Sequence, residues 1–166
     1  ARTWKLICHE SELPENGSYR ALSLGGRPLL VVRGMDGEIR TFFNVCPHRG
    51  APLVRDERGT FKNRMQCFYH LWTYDLEGQC TGITRSVGYE SVGIKKENIS
   101  LRPVRTEVIG GLVFVFFLHE GGNHGGESIA REEFSRIVGE LLAPFEVIGQ
   151  DPLEFLPRTD PDHCAV

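Results

Sequence analysis

Cys46-Pro47-His48-Arg49-Gly50 and Cys67-Phe68-Tyr69-His70 place a cysteine beside a histidine twice, first as C-x-H and then as C-x2-H, with 18 residues between His48 and Cys67. Each pair follows a strand-like run and has turn-like composition. Thiolate sulfur and neutral imidazole nitrogen are both metal ligands. Two bends that each offer one sulfur and one nitrogen can clamp a single centre from two sides. Cys46, His48, Cys67 and His70 are therefore the candidate ligands.

Upstream of these bends, short apolar runs alternate with turn signals. Trp4 to Cys8 is followed by a polar break with Pro14, Asn16 and Gly17. Tyr19 to Leu24 and Leu29 to Arg33 flank Gly25-Gly26, and Asp36-Gly37 leads into Ile39 to Val45. Such dipeptides between apolar runs predict antiparallel hairpins. Between the bends, Asp56 to Gly59 reads as a charged turn, and Glu77-Gly78 is another beyond them. Arg85 to Asn98 shows neither helical nor strand period and reads as a surface excursion. Leu101 to Val108 and Leu112 to Leu118 flank Gly110-Gly111, a further hairpin. Glu120 to Glu127, with four glycines, predicts a flexible loop. Phe134, Ile137, Val138, Leu141 and Leu142 form an amphipathic stripe that predicts a helix over Ser128–Leu142, with Ser128 as N-cap and Pro144 as its stop. Pro152, Pro157 and Pro161 predict an extended tail over 143–166. The expected class is all-β with one C-terminal helix.

Composition removes several functions. Nineteen basic and 22 acidic side chains leave a net charge of −3, without the basic stripe of a nucleic-acid binder. The most apolar stretch, Gly110 to Leu118, falls well short of the roughly 20 residues that span a bilayer, and no secretory leader is read. Cysteines at 8, 46, 67, 80 and 164 form an odd, loosely spaced set. That argues against a disulfide framework and for a reducing, cytoplasmic setting. Cys8, Cys80 and Cys164 receive no role.

The donor set admits more than one metal. A Rieske-type [2Fe–2S] centre takes two thiolates on one iron and two imidazoles on the other. A Cys2His2 zinc site usually groups its cysteines and histidines separately, as C-x2–4-C and H-x3–5-H. Mixed pairs favour the cluster. On ligand types alone zinc stays a competing reading, and buried thiols with turn-capping histidines are the plainest one.

The surroundings sharpen the choice. Phe42-Phe43-Asn44-Val45-Cys46-Pro47-His48-Arg49-Gly50-Ala51-Pro52-Leu53 resembles the first cluster loop of aromatic-ring-hydroxylating oxygenase large (α) subunits. Met65-Gln66-Cys67-Phe68-Tyr69-His70-Leu71-Trp72-Thr73-Tyr74-Asp75-Leu76-Glu77-Gly78 resembles their second loop. The family reads N-x-C-x-H-R-G and then C-P-Y-H-G-W-x-Y-D-x-x-G. The resemblance runs from about Trp4 to about Leu142 and includes the strand Gly111 to Phe117. It implies a Rieske domain over 1–142, an antiparallel β-sandwich with a small cluster-binding subdomain at about 44–84. It further implies that Cys46 and Cys67 bind one iron and His48 and His70 the other. Arg49 and Gly50 would shape the first loop so that backbone N–H groups face the sulfides, while Tyr69 and Trp72 would flank the cluster. Phe68 and Leu71 depart from the family's proline and glycine. Leu71 is expected to avoid positive φ, where a leucine strains the backbone.

The implied function is single-electron relay in a ring-hydroxylating oxygenase system. A ferredoxin or reductase would be the donor, and a mononuclear iron on an oxygenase catalytic chain, or on a missing domain, the acceptor. Oligomerisation is compatible with this. A free-standing Rieske ferredoxin is the alternative, and a structural zinc module a third reading. Oxygen activation by these 166 residues alone is not expected, because the family's catalytic iron domain does not fit in them. His119 and His124 are spaced H-x4-H but read as a solvated loop, and Asp160, Asp162 and His163 as tail. Neither ligand loop carries the extra cysteine or the serine hydroxyl of high-potential Rieske proteins. The expected potential thus lies near the low end of the range of about −150 to +300 mV.

Overall fold

The computed structural model describes residues 4–90, 93–117 and 131–147. The chain divides into two compact units, Ala1–Gly126 and Glu127–Val166.

The described residues of the first unit form ten strands: β1 (Lys5–His9), β2 (Ser18–Leu24), β3 (Arg27–Arg33), β4 (Ile39–Phe43), β5 (Arg58–Thr60), β6 (Met65–Gln66), β7 (Thr73–Tyr74), β8 (Cys80–Gly82), β9 (Pro103–Ile109) and β10 (Leu112–Phe116). They form a seven-stranded sheet in the order β1-β10-β9-β4-β3-β2-β5 and a three-stranded sheet, β6-β7-β8, with antiparallel pairing throughout. The expected hairpins are present. Gly25 and Gly26, both with positive φ, close β2 onto β3 in a two-residue turn. Gly110 and Gly111 do the same for β9 and β10. Positive φ at both central residues matches the twist of the flanking strands, which is why glycine pairs recur there.

β3 explains how the sandwich and the small sheet are joined. Alternate residues of a strand face opposite sides, yet Leu29, Leu30, Val31 and Val32 are all fully buried. Leu29 and Val31 pack among β1, β9 and β10 residues, including Cys8, Val104, Val113 and Val115. β3 and β10 are separated by β9 and β4 in the sheet order, so this contact requires the sheet to fold over on itself. Leu30 and Val32 face the other way, onto Met65, Cys67, Trp72, Tyr74, Leu76 and Cys80 of the small subdomain. Burial of each such side chain contributes roughly 1.5–3 kcal/mol. Gly78 draws the small sheet close: a Cβ there would lie 2.5 Å from Cε1 of Phe42 in β4.

The Arg85–Asn98 stretch is more ordered than its sequence suggests. It forms a helical turn, α1 (Val87–Glu90), and a 3-10 turn at Lys96–Asn98.

The second unit contains α2 (Arg131–Val147). Phe134, Ile137, Val138 and Leu142 are half-buried as the stripe predicts, whereas Leu141 is exposed. The helix does not stop at Leu142 but runs through Pro144, so residues 143–147 are helical rather than extended. A proline inside a helix forfeits its own N–H bond to the carbonyl four residues back, here that of Glu140, and its ring crowds that carbonyl, but the residues after it can still donate along the helix. Ser128, the Glu120–Glu127 loop, His119, His124, Asp160, Asp162, His163, Cys164 and the three tail prolines lie outside the described residues.

Candidate metal centre

The two ligand loops share one hydrogen-bonding scheme. Cys46 donates its N–H to the carbonyl of Ala51 (2.7 Å), and Gly50 donates to the carbonyl of Cys46 (2.8 Å). In the second loop Cys67 donates to Trp72 and Leu71 donates to Cys67, both at 2.9 Å. Each cysteine thus opens and closes its own turn, and the histidine rides on the turn between those bonds.

The first loop is fixed at its far end by Asn44, a buried side chain just after β4. Its Oδ1 accepts the N–H groups of Leu53 (2.9 Å) and Val54 (3.1 Å), and its Nδ2 donates to the carbonyl of Val54 (2.9 Å). The second loop emerges from β6 and returns into β7, whose Tyr74 is fully buried.

These turns bring the candidate ligands together in like pairs, the Cys46 sulfur beside that of Cys67 and one imidazole beside the other. The rings of His48 and His70 lie 4.6 Å apart between centroids. Cys46 and Cys67 are buried and unpaired, as are Cys8 and Cys80 among the described residues. Burial pushes the Cys46 thiol up, and the neighbouring Cys67 sulfur adds to this. The Tyr74 hydroxyl (3.2 Å) and the His48 backbone N–H oppose both effects by hydrogen bonding to the sulfur. Burial and the nearby His70 and Arg49 charges lower the pKa of His48, favouring the neutral imidazole that a metal requires.

A further observation fits a bound group. Among the described residues, Nδ1 of His70 is buried without a hydrogen-bond partner, a costly state for a polar atom unless something else satisfies it.

Trp72 is buried in the core and stacked on His48, with centroids 4.5 Å apart and planes 8° from parallel. It is therefore both core and cover, and its indole N–H has no acceptor among the described residues. Tyr69 lies against His70 (3.9 Å between centroids) but is itself exposed, as are Phe68 and Leu71. Arg49 is exposed. The Gly50 N–H is used within the loop, on the Cys46 carbonyl. The expectation for Leu71 fails: its φ is 58°, because closing the turn onto the Cys67 carbonyl demands the left-handed region.

Three contributors escaped the site reading of the sequence. Tyr74 supplies a hydroxyl that the search for a serine missed. Tyr89 of α1 reaches Nε2 of His48 at 3.0 Å. Asn44 stood in the quoted motif, but its pinning role is visible only in three dimensions.

The model of the Rieske [2Fe–2S] domain family matches residues 3–93. The chain is 37% identical over 156 residues to the α subunit of 2-aminobenzenesulfonate 2,3-dioxygenase from Alcaligenes sp., covering 93% of this chain and 37% of that protein. It is 40% identical over 124 residues to the α subunit of the methanesulfonate monooxygenase hydroxylase from Methylosulfonomonas methylovora, covering 69% and 30%. Among solved structures it resembles the apo form of a quaternary ammonium Rieske monooxygenase, with a TM-score of 0.71, 31% identity, and 89% and 40% coverage. It also resembles naphthalene 1,2-dioxygenase, with a TM-score of 0.65, 32% identity, and 74% and 27% coverage. The chain thus spans about a third of the length of these curated relatives.

Proposed function

Because the chain belongs to the Rieske [2Fe–2S] domain family, which binds a Rieske-type [2Fe–2S] cluster, we propose that Cys46 and Cys67 hold one iron, that His48 and His70 hold the other, and that the chain relays single electrons in a ring-hydroxylating oxygenase system. Two identically bonded loops, each presenting one sulfur and one imidazole, support the assignment. When bound, the cluster takes up and gives up one electron at a time.

The remaining work belongs to this chain's side chains. Cys46 accepts hydrogen bonds at sulfur from Tyr74 and from the His48 backbone, which stabilises negative charge on that atom. Trp72 keeps water off one face of His48. The half-buried imidazoles and exposed Tyr69 put the histidine side nearest to solvent, making it the electron port. A ferredoxin or reductase would deliver the electron. The mononuclear iron that receives it would lie on another chain or elsewhere in a longer protein. One solved neighbour is described as revealing inter-subunit electron transfer, which supports an oligomeric acceptor arrangement here. The cytoplasmic reading rests on the odd, loosely spaced set of five cysteines, of which Cys8 and Cys80 form no disulfide among the described residues; no helix among the described residues is long and apolar enough to cross a membrane.

Metal and acid-labile sulfide analysis, with visible and EPR spectra of the freshly reduced protein, tests the reading. Iron and sulfide in equal amounts with a Rieske-type EPR signal are expected. Colourless protein with stoichiometric zinc would overturn it. A stable complex with an oxygenase catalytic chain on size exclusion supports the oxygenase role, whereas a monomer that reduces several unrelated acceptors would point to a free-standing ferredoxin.

A further inference from the structure

Tyr89 lies outside both ligand loops, on α1, in the stretch whose sequence showed no period. Its position is nonetheless fixed. Its N–H donates to the carbonyl of Ser86 (2.8 Å), and its own carbonyl accepts from Ile94 (3.1 Å). Arg85, with φ of 60°, turns the chain into this segment, and Thr84 Oγ1 donates to the carbonyl of Leu71 (3.3 Å), tying it to the second ligand loop. The Tyr89 ring stands edge-on to both His48 (5.8 Å, 85°) and Trp72 (5.5 Å, 84°). Its hydroxyl lies 3.0 Å from Nε2 of His48.

From this geometry we infer that Tyr89 is a positioning residue for His48: its hydroxyl oxygen accepts the Nε2 proton, fixes the ring tautomer, and makes the two cluster histidines inequivalent. The inference rests on the ligand assignment proposed above. With Nε2 engaged by Tyr89, Nδ1 is the nitrogen left to His48 for iron. A neutral imidazole bound through Nδ1 carries its one proton on Nε2, which then donates to Tyr89. A ligand histidine that donates its outer N–H becomes a stronger electron donor to the metal. That favours the ferric state and lowers the reduction potential. His70 differs: among the described residues it has no hydrogen-bond partner, and its neighbour Tyr69 is exposed. Trp72 stacked on His48 and Tyr89 at its outer nitrogen restrict that ring on two sides, while His70 stays the more open of the pair.

The test uses the full holo-chain. Tyr89→Phe removes one oxygen and keeps the ring that packs on His48 and Trp72. The expected result is an upward shift of the midpoint potential at fixed neutral pH, with iron content and thermal midpoint those of the unsubstituted protein. A purely structural role would move the thermal midpoint instead, and an unshifted potential overturns the inference. A second measurement needs no substitution. Pulsed EPR of the reduced protein after transfer to D2O should show one imidazole N–H proton exchanging slowly and the other fast. Equal exchange overturns the inference even where Tyr89→Phe fails to assemble a cluster. Failure of the ligand assignment looks different, since no nitrogen-coupled [2Fe–2S] signal would then appear in either protein.

Discussion

Leu71 and Gly50 hold equivalent places in the two ligand loops: each donates its N–H to the carbonyl of the cysteine four residues earlier, with φ of 58° and 72°. Glycine takes this conformation without penalty, whereas a side chain with a Cβ costs about 1–2 kcal/mol there. Leu71 is 47% exposed and regains little by burial. Leu71→Gly is therefore expected to raise stability by up to about 1 kcal/mol, part of the relief being lost to the freer unfolded chain. Gly50→Ala should cost about 1 kcal/mol or slightly more, because its Cβ would meet nothing within 4 Å and only backbone strain is added. Urea denaturation of both variants checks this. A destabilised Leu71→Gly would mean that the leucine side chain returns more than its backbone loses.

The Tyr74 hydroxyl lies 3.2 Å from the sulfur of Cys46; with Cys46 a thiolate of the proposed cluster the hydroxyl would be the donor, and the bond would strengthen as negative charge is added. Removing it with Tyr74→Phe should lower the midpoint potential by about 40 mV, the equivalent of ~1 kcal/mol for a one-electron couple. Protein-film voltammetry would read the change, and a potential equal to that of the unsubstituted protein would show that the hydroxyl does not tune the centre.

Asn44 makes three hydrogen bonds to residues 53 and 54 from a buried position. Asn44→Ala leaves those backbone groups unpaired and should destabilise the chain by about 2–4 kcal/mol. Iron content after purification should fall with it. Full iron loading at unchanged stability would remove Asn44 from the account of the first loop.

His48→Cys replaces an imidazole by a thiolate and adds negative charge to the centre. The expected product is a cluster of markedly lower potential or an iron-free protein, read by EPR-monitored redox titration. The same potential in this variant would mean that His48 is not a ligand.

Asp36 shapes the turn between β3 and β4. Both its oxygens pair with Arg40, at 2.8 and 2.6 Å, and the Glu38 N–H also bonds to it. The Arg40 hydrogen bonds above all hold its pKa down to about 2. Since the folded-state value lies below the unfolded one of about 3.9, the stabilisation is present above about pH 4 and is lost as pH falls toward about 2. The difference in thermal midpoint between the parent chain and Asp36→Asn should shrink across that window. A difference independent of pH would show that the carboxylate and Arg40 are not coupled.

The hairpins and both ligand loops were legible because their signals are local: glycine pairs between apolar runs, and Cys–His pairs at turns. The double burial of β3 was hinted at by the unbroken run Leu29-Leu30-Val31-Val32, which alternation would not produce. Tyr89 was not legible, since 41 residues separate it from His48 and its segment has no period to place it. Leu71 misled because sequence custom puts glycine at left-handed positions, while the turn's hydrogen bond imposed that conformation on a leucine. Pro144 misled for a related reason: a proline marks a weak point in a helix without dictating that the helix must end there.

With aliphatic side chains on both faces of β3, a slip of one residue would exchange Leu29 and Val31 for Leu30 and Val32 at almost no hydrophobic penalty. Polarity, which ordinarily guards strand register, is silent here. The reading frame must then be kept by the turns at either end, Gly25-Gly26 and Asp36-Gly37. Since Cys46 follows three residues after β4, a miscounted turn far upstream would shift the first sulfur away from its partner. Fidelity at the candidate metal site is thus decided in part by four turn residues that belong to neither ligand loop.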